Sequence, residues 1–266
     1  MRAELENSQN SDGGWGARPG APSWTEPTAL AAYALDNSRA IQWLERTQLP
    51  DGGWPPNPGV PRSTWVTALV ALLPRNVLGA ARHEKAVQNL LSAMEQLPST
   101  SERVRRWMLG IKPSTGPDAR GWSWYPGSAS WLTPTALSII ALRRASAGPD
   151  PAAIEYLWQR QCADGGWNHG SSRALGYEAP SYAETTGLAL VALTGTGGPR
   201  LDRAIEAASR HADNPLSTEG ASWLRIALHL HGCNPGAVNF NAPPRTTIDR
   251  ALTLLADRTL AGEKLW

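Results

Sequence analysis

Four glutamates stand at places where acid chemistry could be done. Glu26, Glu102, Glu184 and Glu219 each open a ten-residue segment: "EPTALAAYAL", "ERVRRWMLGI", "ETTGLALVAL" and "EGASWLRIAL". A carboxylic acid at a helix start is a candidate general acid. One strong enough to protonate an alkene usually needs neighbours that raise its acidity and return its proton, and each of these stands alone in the sequence. A structural role competes. Ser23 and Glu26, Ser99 and Glu102, and Ser181 and Glu184 all have the S-x-x-E spacing of a capping box. A Glu in a first helical turn also meets the positive end of the helix dipole.

Other residues offer further chemistry, each with an ordinary alternative. Trp65, Trp107 and Trp223 lie within helical segments. They could line an apolar pocket and stabilise a carbocation through their π faces, or simply pack in the core. Trp24, Trp131 and Tyr182 are further candidates for contact with an apolar ligand. Arg103, Arg105 and Arg106 could meet a diphosphate or form a solvated face. His229 and Cys233 are an i, i+4 pair with His231 between them, but Gly232 is placed to end that helix. With no second ligand group at recognisable spacing, interaction with the helix dipole explains these histidines, and no metal or cofactor is expected. No G-x-S-x-G, P-loop, H-E-x-x-H or C-G-E-Q stretch is present.

Composition narrows the classes. A net charge of +2 without a long basic run disfavours nucleic acid as a partner. Cys162 and Cys233 form no CxxC pair, which fits a reducing cytoplasm. The first fifteen residues lack the apolar core of a secretory signal, and no apolar run approaches the roughly 18 residues that span a bilayer. The 25 Gly and 22 Pro cluster between helical segments, and there are 13 Trp against one Phe.

Two kinds of helix position the candidates. One kind has a single apolar stripe: Val87, Leu90, Leu91 and Met94; Leu201, Ala204, Ile205 and Ala208; Ile248, Ala251, Leu252 and Leu255. The other is apolar on nearly every side, as in "PTALAAYAL" from Pro27, "PTALSIIAL" from Pro134 and "TTGLALVAL" from Thr185. Alternation of wet-faced and fully apolar helices predicts an all-α ring or solenoid with inner and outer layers over 1–266 as one domain. Aligning the inner helices on their "AL" ends at Ala34, Ala71, Ala141, Ala192 and Ala227 places Glu26, Ser63, Thr133, Glu184 and Glu219 eight residues upstream. "SERVRRWMLGI" supplies a sixth inner segment with Glu102 at that place. Outer helices are expected near 37–48, 80–97, 150–162, 199–212 and 246–261, with one missing between 110 and 120. The last of them should pack beside the first repeat and close the circle.

Between the helices one turn recurs. Q-x-x-D-G-G-W begins at Gln9, Gln48 and Gln161, and a degenerate "DARGWSW" begins at Asp118. Its Gly pair permits a tight turn, its Asp can satisfy helix-start N–H groups, its Gln can reach loop backbone, and its Trp buries a large face between repeats. With the Ala-rich helices that follow, this element resembles the QW repeat of the squalene–hopene and oxidosqualene cyclases. It is also similar to the β subunits of protein prenyltransferases.

The resemblance runs over nearly the whole chain and implies an α/α toroid of about six repeats. It implies an isoprenoid bound in the central cavity, either cyclised in a class II isomerase reaction or held by a non-catalytic toroid. Class II cyclases protonate with a D-x-D-D motif at an inner-helix start; no D-x-D-D occurs here, and the matching places hold Glu184, the first choice, and Glu26, the second. The D-x-C zinc element of the prenyltransferases is also absent. Hopene cyclases use two α/α domains and prenyltransferase β subunits use a partner chain, so a second protein chain or a second copy is a candidate partner. An open apolar cavity of several hundred Å3 is expected for such a ligand; a ring filled by its own side chains argues against catalysis.

Overall fold

The computed structural model describes residues 1–95, 100–110, 119–170, 173–174, 177–214, 217–234 and 243–266, without the side chains of 100, 102, 103, 106, 173 and 174. In chain order the helices are α1 (Arg2–Asn7), α2 (Thr25–Leu35), α3 (Ser38–Thr47), α4 (Val66–Ala71), α5 (Arg75–Leu78), α6 (Ala80–Ala93), α7 (Thr100–Met108), α8 (Leu132–Arg144), α9 (Pro151–Gln159), α10 (Ala183–Ala192), α11 (Pro199–Ala212), α12 (Thr218–Leu230) and α13 (Thr247–Leu260). A two-residue hairpin, β1 (Arg173–Ala174) and β2 (Tyr177–Glu178), interrupts the loop before α10.

Helix α2 packs on α4, α4 on α8, α8 on α10, α10 on α12, α12 on α13, and α13 back on α2. These six close a ring. Outside it α1 covers α13 and α2, α3 covers α2, α6 covers α4 and α8, α9 covers α8, and α11 covers α10 and α12. The arrangement is an α/α toroid. Composition explains which helices go inside: α2 and α10 have almost no polar side, and every residue of each is buried except Glu26 and Glu184. Among the described residues no helix is long and apolar enough to cross a membrane.

Two sequence assignments are corrected here. The sixth inner helix is α13, not α7, which has no substantial packing on any ring helix. Four of the nine α7 residues are Glu or Arg, too many charges to bury, and Val104, Trp107 and Met108 stay exposed. The outer helix in front of α13 is the six-residue α1, so α13 keeps a wet side and reads as an outer helix. The α6 helix is the outer helix of the repeat thought to lack one. Among the described residues, none lies between α12 and α13.

Each turn acts as a joint among three helices. The indole Nε1 of Trp15, Trp54 and Trp167 donates to the carbonyl of Leu5, Leu44 and Leu157 on the preceding outer helix, at 2.9, 2.7 and 2.7 Å. Their backbone N–H groups donate to the hydroxyls of Thr28, Thr67 and Thr186 on the following inner helix. All three Trp are fully buried. Gln9, Gln48 and Gln161 reach the loop carbonyls of Gly13, Gly52 and Gly165, each at 2.8 Å. Asp plays a different part from helix capping. Its Oδ1 accepts from the second Gly of its own turn and, in the first two copies, from the Ser23 or Ser63 hydroxyl; Asp164 Oδ2 accepts from the Ser181 N–H. Neighbouring repeats are then sewn together. Thr25 donates to the carbonyls of Pro55 and Pro56 beyond Trp54, and Thr247 makes the same pair of bonds to Gly16 and Ala17 beyond Trp15.

The third turn is split. Glu95 N–H donates to Gly121 O at 2.9 Å, as Leu49 does to Gly53 and Cys162 to Gly166. Trp122 Nε1 donates to Leu90 O, 32 residues upstream rather than the ten of the complete turns. The turn therefore opens to admit 22 residues, α7 among them, and closes again on Gly121. Glu95 accepts the Ser130 hydroxyl in place of the missing Asp.

Because one indole ties two helices while filling the gap between them, Trp54→Ala should cost about 3–5 kcal/mol. Trp107→Ala, 79% exposed on α7, should stay within about 0.5 kcal/mol. Urea denaturation of the two variants measures the difference.

Candidate functional site

The inter-repeat joints put the N-terminal ends of α13, α2 and α4 at one mouth of the ring, and the first turn of each inner helix lies at that level. The serine that precedes each of α2, α4 and α10 is tied to the Asp of its own turn. That fixes the register: Ser63 corresponds to Ser23, and α4 presents Val66 where α2 presents Glu26. Ser63, aligned with Glu26 in the sequence, is displaced because α4 starts later. The rim positions are Glu26, Val66, Thr133, Glu184, Glu219 and Ile248, so three carboxylates come from α2, α10 and α12. Glu102 does not join them: it lies on α7, and its side chain is outside the described residues.

The capping-box reading fails for two of its three pairs. The caps of α2 and α10 are Trp24 and Tyr182, neither of which makes a side-chain cap bond. The Ser23 hydroxyl is on Asp12 and the Ser181 hydroxyl is on His211 at 2.8 Å. Ser99 lies outside the described residues. A capping box does occur, at Thr246 and Asp249 of α13.

Glu26 and Glu184 are thereby free of capping duty, and the electrostatics of the mouth belong to the cluster. Burial, with the Glu219 carboxylate nearby, pushes the Glu26 carboxyl up to about 7. Burial also raises Glu219, helped by Glu184 and Asp249 and opposed by His169 and a hydrogen bond from Trp223. Solvent reaches Glu219, so this carboxylate sits in a concave, partly dehydrated surface. His169 Nε2 lies 3.2 Å from Glu184 Oε1, and its ring rests 5.5 Å from that of Tyr182. Burial and mutual repulsion thus disfavour ionising Glu26 and Glu219 together.

Aromatic residues stand at the starts of three inner helices. Trp24, Trp131 and Tyr182 occupy the position just before α2, α8 and α10 and are 48, 39 and 46% exposed. Their N–H groups pair with the carbonyls of Trp15, Trp122 and Trp167, so their backbone is fixed while their rings face outward. Trp65 is half-buried and edge-on to Trp124, with centroids 4.8 Å apart. Trp223 is buried and Trp107 is remote on α7. Of the six aromatic candidates, Trp24, Trp131 and Tyr182 are the exposed ones at the rim.

The opposite end of the lumen is filled. Arg144 of α8 lies over the Tyr33 ring of α2 at 5.3 Å; these helices are not ring neighbours, so the contact spans the lumen. Trp266 packs edge-on to Tyr33 and Trp223, at 5.9 and 5.3 Å, and donates to Thr259 Oγ1 at 2.8 Å. The Leu265 carbonyl accepts from both Tyr33 and Arg144. At this end the side chains of Tyr33, Arg144 and Trp266 take the place of the expected open apolar cavity. Cavities of about 480 and 220 Å3 lie instead in the wall, the first beside Arg75, His83 and Arg144 and the second beside Thr64.

Among the described residues no three His, Cys, Asp or Glu are grouped to hold a metal ion. His231 contacts the Leu190 carbonyl at 2.9 Å and Cys233 contacts the His231 carbonyl. Arg105 is exposed on α7; the side chains of Arg103 and Arg106 lie outside the described residues.

No protein-family model and no curated protein matches this sequence. Solved structures do. The type II terpene cyclase MstE from Scytonema, without ligand, superposes with a TM-score of 0.55 at 17% identity, over 95% of this chain and 76% of that one. The chain has the terpene-cyclase toroid fold. A variant of the same enzyme in complex with geranylgeranyl dihydroxybenzoate, its substrate, gives 0.53 at 17% identity over 98% and 76% of the two chains. A protein from Actinoplanes gives 0.54 at 15% identity over 97% and 78%. Two features of this toroid's mouth were not singled out in the sequence. His169 follows Trp167 by two residues, and a longer spacing from Trp167 to its threonine, 19 residues against 13 elsewhere, was the available signal. Thr64, where other repeats carry an aromatic residue, was the second.

Glu26 ionises near 7 in the folded chain against 4.5 for an unperturbed Glu. Between those values the native state binds more protons than the unfolded state, so stability falls as pH rises through the window and the cost is complete above it. Glu26→Gln should therefore gain up to about 3 kcal/mol over the parent at about pH 8 and nothing near pH 4, read as the shift in urea midpoint.

Proposed function

We propose that this toroid binds a neutral isoprenoid at its acidic, aromatic mouth and that Glu26 donates a proton to it, as in a cyclisation or isomerisation. The observation that supports this most is the placement of Glu26, Glu184 and Glu219 at one mouth of the ring, with Trp24, Trp131 and Tyr182 exposed at inner-helix starts. The Glu184 and Glu219 carboxylates argue against a prenyl diphosphate, which they would repel.

The chemistry follows from the groups. A carboxyl with a pKa near 7 keeps its proton at neutral pH but is a weak acid, so it suits an oxygen acceptor such as an epoxide better than a bare alkene. Protonation opens the C–O bond and leaves a carbocation, which the π faces of Trp24, Trp131 and Tyr182 and the Glu184 and Glu219 carboxylates can stabilise. Loss of a proton to the Glu184–His169 pair ends the reaction with no net change in atoms. This reading places the acid at Glu26, whose carboxyl is raised by burial and by the nearby Glu219, rather than at Glu184. A second reading, an isoprenoid-binding toroid without turnover, is favoured by the lumen filled with Tyr33, Trp223, Leu265 and Trp266.

Incubation with squalene, its terminal epoxide and C15–C20 prenyl diphosphates, with product analysis by mass spectrometry, separates the two. Turnover of the epoxide should fall about 10²–10⁴-fold in Glu26→Gln, fall less in Glu184→Gln, and decline above about pH 7 in the parent as Glu26 loses its proton. Saturable binding without turnover selects the second reading; absence of binding rejects both.

A further inference from the structure

The cavity of about 220 Å3 lies beside Thr64, two residues before α4. Its N–H pairs with Trp54 O as those of Trp24, Trp131 and Tyr182 pair with their own Trp carbonyls, so Thr64 holds the place that is aromatic on α2, α8 and α10. We propose that this cavity is a binding site for a small neutral polyol, such as a sugar ring.

Polarity, charge and size carry the proposal. The Thr64 hydroxyl is buried, with the residue 7% exposed, and has no hydrogen-bond partner; leaving such a group unpaired costs about 1–3 kcal/mol. Ser63, Asn89 and the buried Ser138 of α8 line the same space, with Trp65 and Trp122 as apolar walls. Asp51 is the one charged residue on the described lining, and no Lys, Arg or His is present there. An acceptor-rich lining without a cation suits hydroxyl donors and excludes phosphate, while an indole face suits the C–H face of a sugar. The volume is below the ~300 Å3 of drug-sized sites but several times the ~30 Å3 of one water. This site does not depend on the isoprenoid reading, and its test does not use turnover.

The test is a titration of 15N-labelled protein with methyl β-glucopyranoside and glycerol, with inorganic phosphate alongside. Saturable shifts of the Trp65 and Trp124 indole N–H signals and the Thr64 amide are expected with the glucoside, and none with phosphate. Thr64→Val, which removes only the hydroxyl, should weaken binding about tenfold. Thr64→Trp, which restores the aromatic residue of the other repeats, should abolish it; if that variant does not fold, Thr64→Val alone decides. No saturable shift with either polyol means that the cavity holds water only and overturns the proposal. So do shifts that phosphate reproduces, binding unchanged in Thr64→Val, or binding that survives in a folded Thr64→Trp.

Discussion

One indole N–H in front of each of four inner helices, α2, α4, α8 and α10, holds this ring together. Trp15, Trp54, Trp122 and Trp167 each span from an outer-helix carbonyl to an inner-helix threonine. Each therefore fills the space between two helices and satisfies polar groups that burial would otherwise strand. Phe can fill space but has no N–H to reach a helix carbonyl, which accounts for four of the 13 Trp. The rest of the turn serves the indole: Gln and Asp tie the loop, and the first Gly must lie close to the next outer helix. A Cβ on Gly52 would come within 2.5 Å of the Lys85 carbonyl, at a backbone φ of +88°.

The same constraint shapes the mouth. With Asp and Ser fixing the approach to each inner helix, the first helical turns are held at one level and their second residues form a rim. Inner helices buried on every side can afford a polar group only where solvent reaches them, and that is where Glu26 and Glu184 stand. Their isolation in sequence becomes proximity in space because α10, α12, α13 and α2 are consecutive around the ring.

Much of this was legible in the sequence. Three Q-x-x-D-G-G-W turns and Ala-rich segments apolar on all sides gave the layers and the family of folds, and counting back from the "AL" ends gave the three glutamates found on the rim, Glu26, Glu184 and Glu219. Three things were not legible. A capping box and a rim acid share the S-x-x-E spacing, and only the competing bond from the Ser23 hydroxyl to Asp12 separates them. The α13 helix looks like an outer helix because α1 covers it incompletely, a tertiary fact. The split third turn hid its own register, because 22 inserted residues moved Glu95 away from Gly121 in sequence while leaving them bonded in space.

The seam between α13 and α2 has a consequence for how the chain folds. The bond from Thr247 to Gly16 joins residues 231 apart in sequence, whereas the bonds within a complete turn span about ten. Local repeats can therefore assemble early, but the circle closes only when α13 finds α1 and α2, a step whose entropic cost rises with the length of chain between them. Until then the flank of α2 that faces α13 is an unpaired apolar surface. A partly folded chain would present that surface to another copy's α13, so exchange of α13 between two chains is the error this architecture is most exposed to.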